Sequence, residues 1–509
     1  HCFHDLRILR FPLDGRRLEE TALDGRRDGG WAMDGFESEL LHRLPLCQAA
    51  LRVSGYALDP AMLGRVFEEH RGRSYQSILT FDTLVRLILN ALTVHGGSGH
   101  QAFVEAATAG FSPVAEQNLY GKLARVPTSL SMALLSAGTV RLREILPPRS
   151  IAVVLPACLS GWVVVAIDGK KIKNAAKRLK ALRGLPGKLL GGKLLVALDV
   201  SHALALAMNA DRDGERNDVP LVPGLLEQVR RLVSTPILWL ADRQFGNLDV
   251  PALLAERKGD SFLVRVPKSL QLHADSTRAG ESLVDGQGRS VTQEWGWIGA
   301  EGDERRRYIR RITLHRPGEE AIALITNRID AQGHPAVDLL DTYLQRWGIE
   351  RVFQEVTEVF HLQTLIGSSP SAMIFQSALC FLLYNMIQVV RAYLAQHQTR
   401  PVAEVSSEKL FWDVRDQLTT WKNLGRAEIA VAALRFGDDD RANTPLAMRQ
   451  WLTQTLAECW KDKYIKAPPK KKKATPQPRT AVPPGHGGHT STWRVLQAAN
   501  AARRKERRS

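Results

Sequence analysis

The sequence predicts a mixed α/β protein, with a strand-rich centre and helical regions on both sides of it. Three observations carry that expectation: cap-and-proline helix starts between residues 57 and 145, Val/Ile/Leu runs between 163 and 245, and a long apolar helical pattern from 372. At 509 residues the chain is long enough for roughly two to four domains and a large buried core. Hydrophobic residues at 44% and charged residues at 24% exclude wholesale disorder and a multi-span membrane protein.

Residues 1–35 repeat LDGRR at 13–17 and 23–27, and the first Met is Met33, so a Gly- and Arg-rich extension outside the folded body is expected. A helical N-terminal domain is expected over 36–150. Asp59-Pro60 and Ser112-Pro113 each place an N-cap residue before a proline suited to the first helical position. Between them Leu84, Leu87, Ile88 and Ala91 recur at helical spacing, and Gly96-Gly97 ends the pattern. On the segment after Ser112, Gln117, Asn118, Tyr120 and Lys122 are residue types that read base edges and phosphates.

From residue 151 the texture changes to strands, at 163–169, 192–200, 202–210 and 236–245, with the helical pattern DVPLVPGLLEQVRRLVS before the last. The first three are close enough for an antiparallel meander, while the later ones need helical crossovers. That order is the order of a ribonuclease-H-like core, expected over 151–390. SVTQEWGWI, RRYIRRITLHR and EAIALITNR follow and read as a β-strand-rich insertion over about 265–330. The apolar runs 151–167 and 372–390 resemble membrane spans in length. Pro156, Ser160 and Gly161 break the first, and Gln376, Asn385 and Gln388 interrupt the second, so a buried strand and a buried helix are expected, with no membrane partner. Residues 391–466 read as helical again. Residues 467–509 hold eleven Lys or Arg against the single Glu506, a net +10 out of the chain's +16, and read as a basic, disordered tail.

The charge excess points to polyanions, nucleic acid first and an anionic membrane surface second. The five cysteines, Cys2, Cys47, Cys158, Cys380 and Cys459, are widely spaced without a C-x-x-C pair. A reducing cytoplasm is expected, rather than a disulfide framework or a zinc ribbon.

Three carboxylates occur where phosphoryl-transfer chemistry needs them. Asp168 ends a hydrophobic strand and precedes Gly169, Asp242 ends the next core strand, and Glu350 lies in the helical pattern QRWGIERVFQEV. Hard Mg²⁺ ions take oxygen ligands, and two ions about 3.5–4 Å apart stabilise the attacking and leaving oxygens of an in-line displacement. Each residue taken alone has a plainer reading, as a turn-marking Asp or a solvated Glu. Asp199, Asp211, Asp213, Glu215 and Asp218 form a competing acidic cluster, mostly in a loop. Tyr343, Arg346 and Glu350 are spaced three then four, which places them on one face of a helix; a plain Arg346–Glu350 ion pair is the alternative. Lys170, Lys171 and Lys173 follow the first carboxylate, and Arg243 follows the second, as candidate contacts to a phosphate backbone.

These motifs resemble the DDE transposases of bacterial insertion sequences, specifically the insertion-sequence-four group with its signature Y-x2-R-x3-E-x6-K. In YLQRWGIERVFQEVT, Tyr343, Arg346 and Glu350 match in register, while AIDGKK around Asp168 and LADRQFGN around Asp242 resemble the other two motifs. ALITNR and LLYNMIQ extend the likeness over about residues 160–390. The departure is Thr357, where the signature has Lys, and along the sequence the next Lys is Lys409.

The resemblance implies cut-and-paste DNA transposition. Asp168, Asp242 and Glu350 would bind two Mg²⁺ or Mn²⁺ ions, an element end would be cleaved to free a 3′-hydroxyl, and that hydroxyl would attack target DNA. Arg346 and Tyr343 would clamp phosphates beside the metals. The implied partner is double-stranded DNA, as terminal repeats and as target, held by a homodimer in the bacterial cytoplasm at the nucleoid. Two other readings share these residues: a catalytically impaired DNA-binding relic or repressor, motivated by Thr357, and a ribonuclease-H-like nuclease without strand transfer.

Overall fold

Seven helices open the chain: α1 (Gly35–His42), α2 (Pro45–Ala57), α3 (Pro60–His70), α4 (Phe81–Thr93), α5 (Gly99–Thr108), α6 (Glu116–Leu123) and α7 (Thr128–Glu144). The computed structural model describes residues 35–112, 114–267, 269–316, 318–424, 444–467 and 489–506, so the N-terminal extension lies outside the described residues except for Gly35. Asp59 caps α3 as the sequence expects, accepting from the Met62 amide at 2.9 Å with Pro60 as the first helical residue. The helix expected from Ser112 starts later, at Glu116, because the Ser112 hydroxyl donates to the Val114 carbonyl at 2.7 Å and holds the chain in a local turn. On α4 the repeat Leu84, Leu87, Ile88, Ala91 is buried, and Gly96 and Gly97 adopt positive φ just beyond its end.

The central strands are β1 (Val163–Ile172), β2 (Leu189–Leu190), β3 (Gly192–Asp199), β4 (Leu204–Asp211), β5 (Ile237–Ala241) and β6 (Ser261–Arg265), with α8 (Val222–Leu232) before β5 and α9 (Asp249–Leu254) before β6. Five more follow: β7 (His273–Ala274), β8 (Glu281–Val284), β9 (Ser290–Ile298), β10 (Arg307–His315) and β11 (Ile322–Thr326). They build one mixed sheet in the order β4-β3-β1-β5-β6-β11-β10-β9-β7, with β8 on β9. β4, β3 and β1 form the antiparallel meander, and β1, β5 and β6 run parallel through their helical crossovers. The strands read as an insertion are continuous with this core, because β11 pairs antiparallel with β6 and covers an edge that would otherwise expose unpaired backbone.

Side chains alternate across the sheet, which separates two apolar layers. Val164 and Ala166 of β1 join the large core shared with the helical regions, whereas Val165 and Ile167 pack with the layer that includes α8 and the buried Phe245. Two consecutive helices, α10 (Ala336–Leu344) and α11 (Trp347–Glu358), then cross the first of these faces, followed by α12 (Pro370–His397), α13 (Ser407–Leu424) and α14 (Pro445–Thr455). By length and composition α12 could span a membrane, yet its most apolar window is wholly buried in the fold. Asn385 and Gln376 are satisfied there, whereas the Gln388 Nε2 is buried without a partner among the described residues. Asn385 accepts from the Ala205 amide at 2.9 Å and donates to Thr139 and the Ala205 carbonyl, and Gln376 bonds the backbone of Thr364 and Ile366.

The expectation of a wholly unfolded tail is corrected at its far end. β12 (Thr490–Ser491) pairs in parallel with β2, and α15 (Thr492–Glu506) follows it. Arg494 reaches Asp213 at 2.8 Å and Glu215 at 2.6 Å, so the acidic loop that competed as a metal site neutralises this segment instead. The KKKK run at 470–473 lies outside the described residues.

Candidate active site

Asp168 and Asp242 are brought together by strand register. Ile167 pairs with Ala241 across parallel strands, so the two aspartates occupy the next rung, on strands spaced about 4.8 Å apart. Alternation along β1 puts Asp168 on the face of Val164 and Ala166, the same face that α11 covers and from which Glu350 descends. Gly169 is required by packing. A Cβ at that position would stand 2.4 Å from the Asp218 carboxylate, whose residue is buried against Lys193 at 2.7 Å.

Arg346 ties the group together. Its Nη1 lies 3.4 Å from Asp168 Oδ2 and its Nη2 lies 3.3 Å from Glu350 Oε1, with the guanidinium side chain only 3% exposed. The three signature residues do not share one continuous helix. Tyr343 ends α10, Arg346 is the N-cap of α11, and Glu350 sits in the first turn of α11. Two short bonds, Arg346 N to Tyr343 O at 2.9 Å and Gly348 N to Gln345 O at 2.9 Å, tighten the junction into a 3₁₀-like turn. The break rotates α11 relative to α10 while keeping Arg346 within reach of Glu350.

The electrostatics are those of a crowded, desolvated carboxylate group. Burial pushes the Asp168 carboxyl up to about 6, the Gly169 amide and Arg346 pull it back, and Asp242 and Glu350 push it further up. Burial raises the Tyr343 phenol to about 12, with Arg346 opposing and Asp242 reinforcing. Burial works against the Arg346 charge, yet Tyr343 and the three carboxylates hold its pKa above the ordinary value. Three buried atoms here lack any hydrogen-bond partner among the described residues: Asp242 Oδ1, Tyr343 Oη and Arg346 Nε. Unsatisfied buried groups are few in native proteins, and their convergence on one sheet edge marks a place built for a ligand.

Among the described residues, no group of three His, Cys, Asp or Glu side chains stands close enough to hold a metal ion. The Arg346 guanidinium bridges Asp168 and Glu350 instead. The donor chemistry nevertheless fits a hard divalent cation, since all three side chains offer carboxylate oxygens and Asp242 Oδ1 is unpaired. Glu350, 43% exposed, is the least confined of the three.

The basic residues divide. Lys170, two residues beyond Asp168 and on the same strand face, donates to Thr357 Oγ1 at 2.7 Å and to the Phe353 carbonyl at 3.2 Å. Burial, with Lys173 nearby, lowers its pKa to about 8. An ammonium therefore does stand at position 357, contrary to the expectation from sequence that no nearby Lys replaces the missing one. Lys171 and Lys173 are exposed on the strand and just past its end. Arg243 turns away from Asp242 and faces Glu320 at 3.4 Å.

Residues 160–386 match a family model described as the transposase DDE domain, and this match supports a DDE transposase. Asp168, Asp242, Tyr343, Arg346 and Glu350 all fall inside that segment. A solved structure, the cryo-EM synaptic complex of a piggyBac transposase with hairpin DNA, is similar with a TM-score of 0.40 and 11% identity, over 84% of this chain and 88% of that one. No curated protein matches the chain.

Proposed function

We propose that the chain is a DNA transposase of an insertion sequence, of the insertion-sequence-four type, built on a ribonuclease-H-like core and acting by cut-and-paste. One observation carries the reading: Asp168 within β1, where the sequence predicts a strand end, Asp242 just past the end of β5, and Glu350 on a helix meet around the buried Arg346 inside the segment that matches the transposase DDE domain. Asp168, Asp242 and Glu350 would hold two divalent cations, Mg²⁺ or Mn²⁺. Those ions supply charge neutralisation at the attacking and leaving oxygens of a phosphodiester. Arg346 holds Asp168 and orients Glu350, and its unpaired Nε together with the Tyr343 hydroxyl accounts for two donors aimed at a phosphate.

Thr357 motivates the relic reading, while the Lys170 contact, which brings an ammonium to the same place, supports the active one. Lys170, with Lys171 and Lys173, lines the backbone path beside the carboxylates. Terminal repeats and target DNA are the partners, in a homodimer at the nucleoid of a bacterial cytoplasm.

The test is incubation of the purified chain and Mg²⁺ with a labelled duplex carrying the terminal inverted repeats that flank the gene, beside Glu350→Gln. Metal-dependent nicking at the repeat boundary, absent in the variant, is the expected result, with strand transfer into a second duplex. Nicking without joining would reduce the reading to a nuclease. Binding without nicking would leave a relic or repressor.

A further inference from the structure

Away from the carboxylates, a groove of about 490 Å³ lies where the helical region meets the sheet. Its walls come from the α3–α4 loop, from α6 and the linker after it, and from the residue that follows β4. Four cations line it: Arg73, Lys122, Arg125 and Arg212. Among the described residues no acidic side chain does.

Several carboxylates on the segments that build its walls, or next to them in the chain, pair with other cations. Glu68 pairs with Arg71 at 2.8 Å, Glu116 with His100 at 2.8 Å, Asp211 with Arg216 at 3.2 Å, and Asp213 with Arg494 at 2.8 Å. The four groove cations have no ion-pair partner among the described residues. Lys122 donates to the Tyr75 carbonyl and lies over the Tyr75 ring, and Arg212 lies 5.3 Å from the Trp493 ring centroid. These contacts orient the charges without neutralising them. Burial, reinforced by Arg125, lowers the Lys122 pKa, as expected where like charges are held together.

Tyr75 at 73% and Ile78 at 68% exposure stand at the groove's edge. Asn118 on α6 also faces it, and the Arg178 charge acts on Tyr120 of the same helix, which extends the positive field toward the basic segment after β1. Positioned cations beside exposed aromatic and apolar side chains suit a polyanion with stackable or groove-lining surface, rather than a small anion alone.

We propose that this groove binds the phosphate backbone of duplex DNA at a second site, distinct from the carboxylates, with Arg73, Lys122, Arg125 and Arg212 contacting phosphates. The partner's identity as DNA rests on the function proposed above. Arg212 draws the strand side of the site toward the helical side, so the duplex is gripped by both regions at once.

The experiment compares the full chain with Arg73→Ala/Arg125→Ala and Arg73→Glu/Arg125→Glu, titrating a labelled duplex over a range of salt concentrations. Both positions are exposed, and an unchanged urea-unfolding midpoint checks that folding is retained. Each lost phosphate contact lowers the slope of log K against log salt by about 0.9, so the alanine pair is expected to lower it by about 2. The glutamate pair is expected to weaken binding by tenfold or more. Addition of inorganic phosphate at millimolar concentration is expected to leave wild-type binding nearly intact, and efficient competition by it would overturn the duplex assignment in favour of a small-anion site. Unchanged slope and affinity in both variants, with the wild type binding normally, would overturn the groove proposal alone. A wild-type chain that binds no duplex would instead overturn the transposase reading itself.

Discussion

An aspartate stands beside each end of β5, Asp242 directly after it and Asp260, the residue before β6, against its first residue Ile237, and the fold treats them oppositely. At the amino end Asp260 is fully saturated: it accepts from Arg257 Nη2 at 2.7 Å, Arg230 Nε at 3.1 Å, the Ile237 amide at 3.1 Å and the Trp239 indole at 3.4 Å. At the carboxyl end Asp242 keeps a buried Oδ1 with no partner, beside a second carboxylate on the adjacent strand. A carboxylate that stabilises a fold is surrounded by donors; one that serves a ligand is left with capacity to spare. Open α/β sheets bind ligands outside the carboxyl ends of their strands, and the asymmetry along β5 follows that rule.

The largest effect that separates the two ends is on activity. Asp242→Asn keeps the volume and removes the charge, and is expected to lower metal-dependent nicking by about 10³-fold or more while leaving the urea midpoint close to wild type. A variant that nicks normally would move Asp242 to the structural class. The converse change, Asp260→Ala, strands Arg230 and Arg257 beside a buried cavity. It is expected to cost about 3–5 kcal/mol of stability, read by chemical unfolding, with nicking per folded molecule retained. Equal loss of activity and stability in both variants would erase the distinction.

The third effect is a pH dependence of stability. Asp168 has a folded-state pKa of about 6, above its ordinary 3.8, so the folded chain keeps a proton that the unfolded chain gives up. No cost exists below about pH 4, where both states are protonated. Stability falls as pH rises from about 4 to 6, by about 3 kcal/mol in all, and stays lowered above that. Asp168→Asn is expected to lose this slope in metal-free urea titrations. Added Mg²⁺ is expected to restore part of the stability to wild type above pH 6 and none to the variant. If the slopes of the two proteins coincide, the buried Asp168 carboxyl is not the source.

Much of this arrangement was legible along the chain. Asp168 and Asp242 each end an apolar run, and hydrophobic alternation fixes which face each occupies. The meander and crossovers followed from strand spacing, and the interrupting Gln376, Asn385 and Gln388 marked α12 as a buried helix. What stayed hidden depends on contacts between distant segments. The turn at 345–346 that splits the signature across two helices has no Gly or Pro to announce it. Residues 490–506 are placed by pairing with β2 and by Arg494, which meets Asp213 and Glu215 from 281 and 279 residues away in sequence. Composition alone, which read that segment as tail, contains nothing of the partner. The Arg243–Glu320 pairing was hidden in the same way.

The smallest expected effect concerns Lys170 and Thr357, which are 187 residues apart and meet over Phe353. Here the logic of β5 is inverted, because an ammonium rather than a carboxylate is buried without a contact ion pair among the described residues, Glu358 acting on it only from a distance. Only Thr357 Oγ1 and the Phe353 carbonyl receive its protons. Thr357→Val removes one of these bonds and is expected to cost about 1 kcal/mol in unfolding with little change in duplex affinity. Lys170→Met removes the charge, and is expected to lower the salt slope of duplex binding by about 0.9. Because burial lowers the Lys170 pKa to about 8, its charge is present below that pH and lost above it, so wild-type affinity should decline between about pH 7 and 9 while Lys170→Met stays flat in that range. A packing role for Lys170 would instead change stability in both variants alike and leave the pH profile of binding untouched. The threonine at 357 then reads as a receptor for a cation delivered from the strand, next to the carboxylate that strand also delivers.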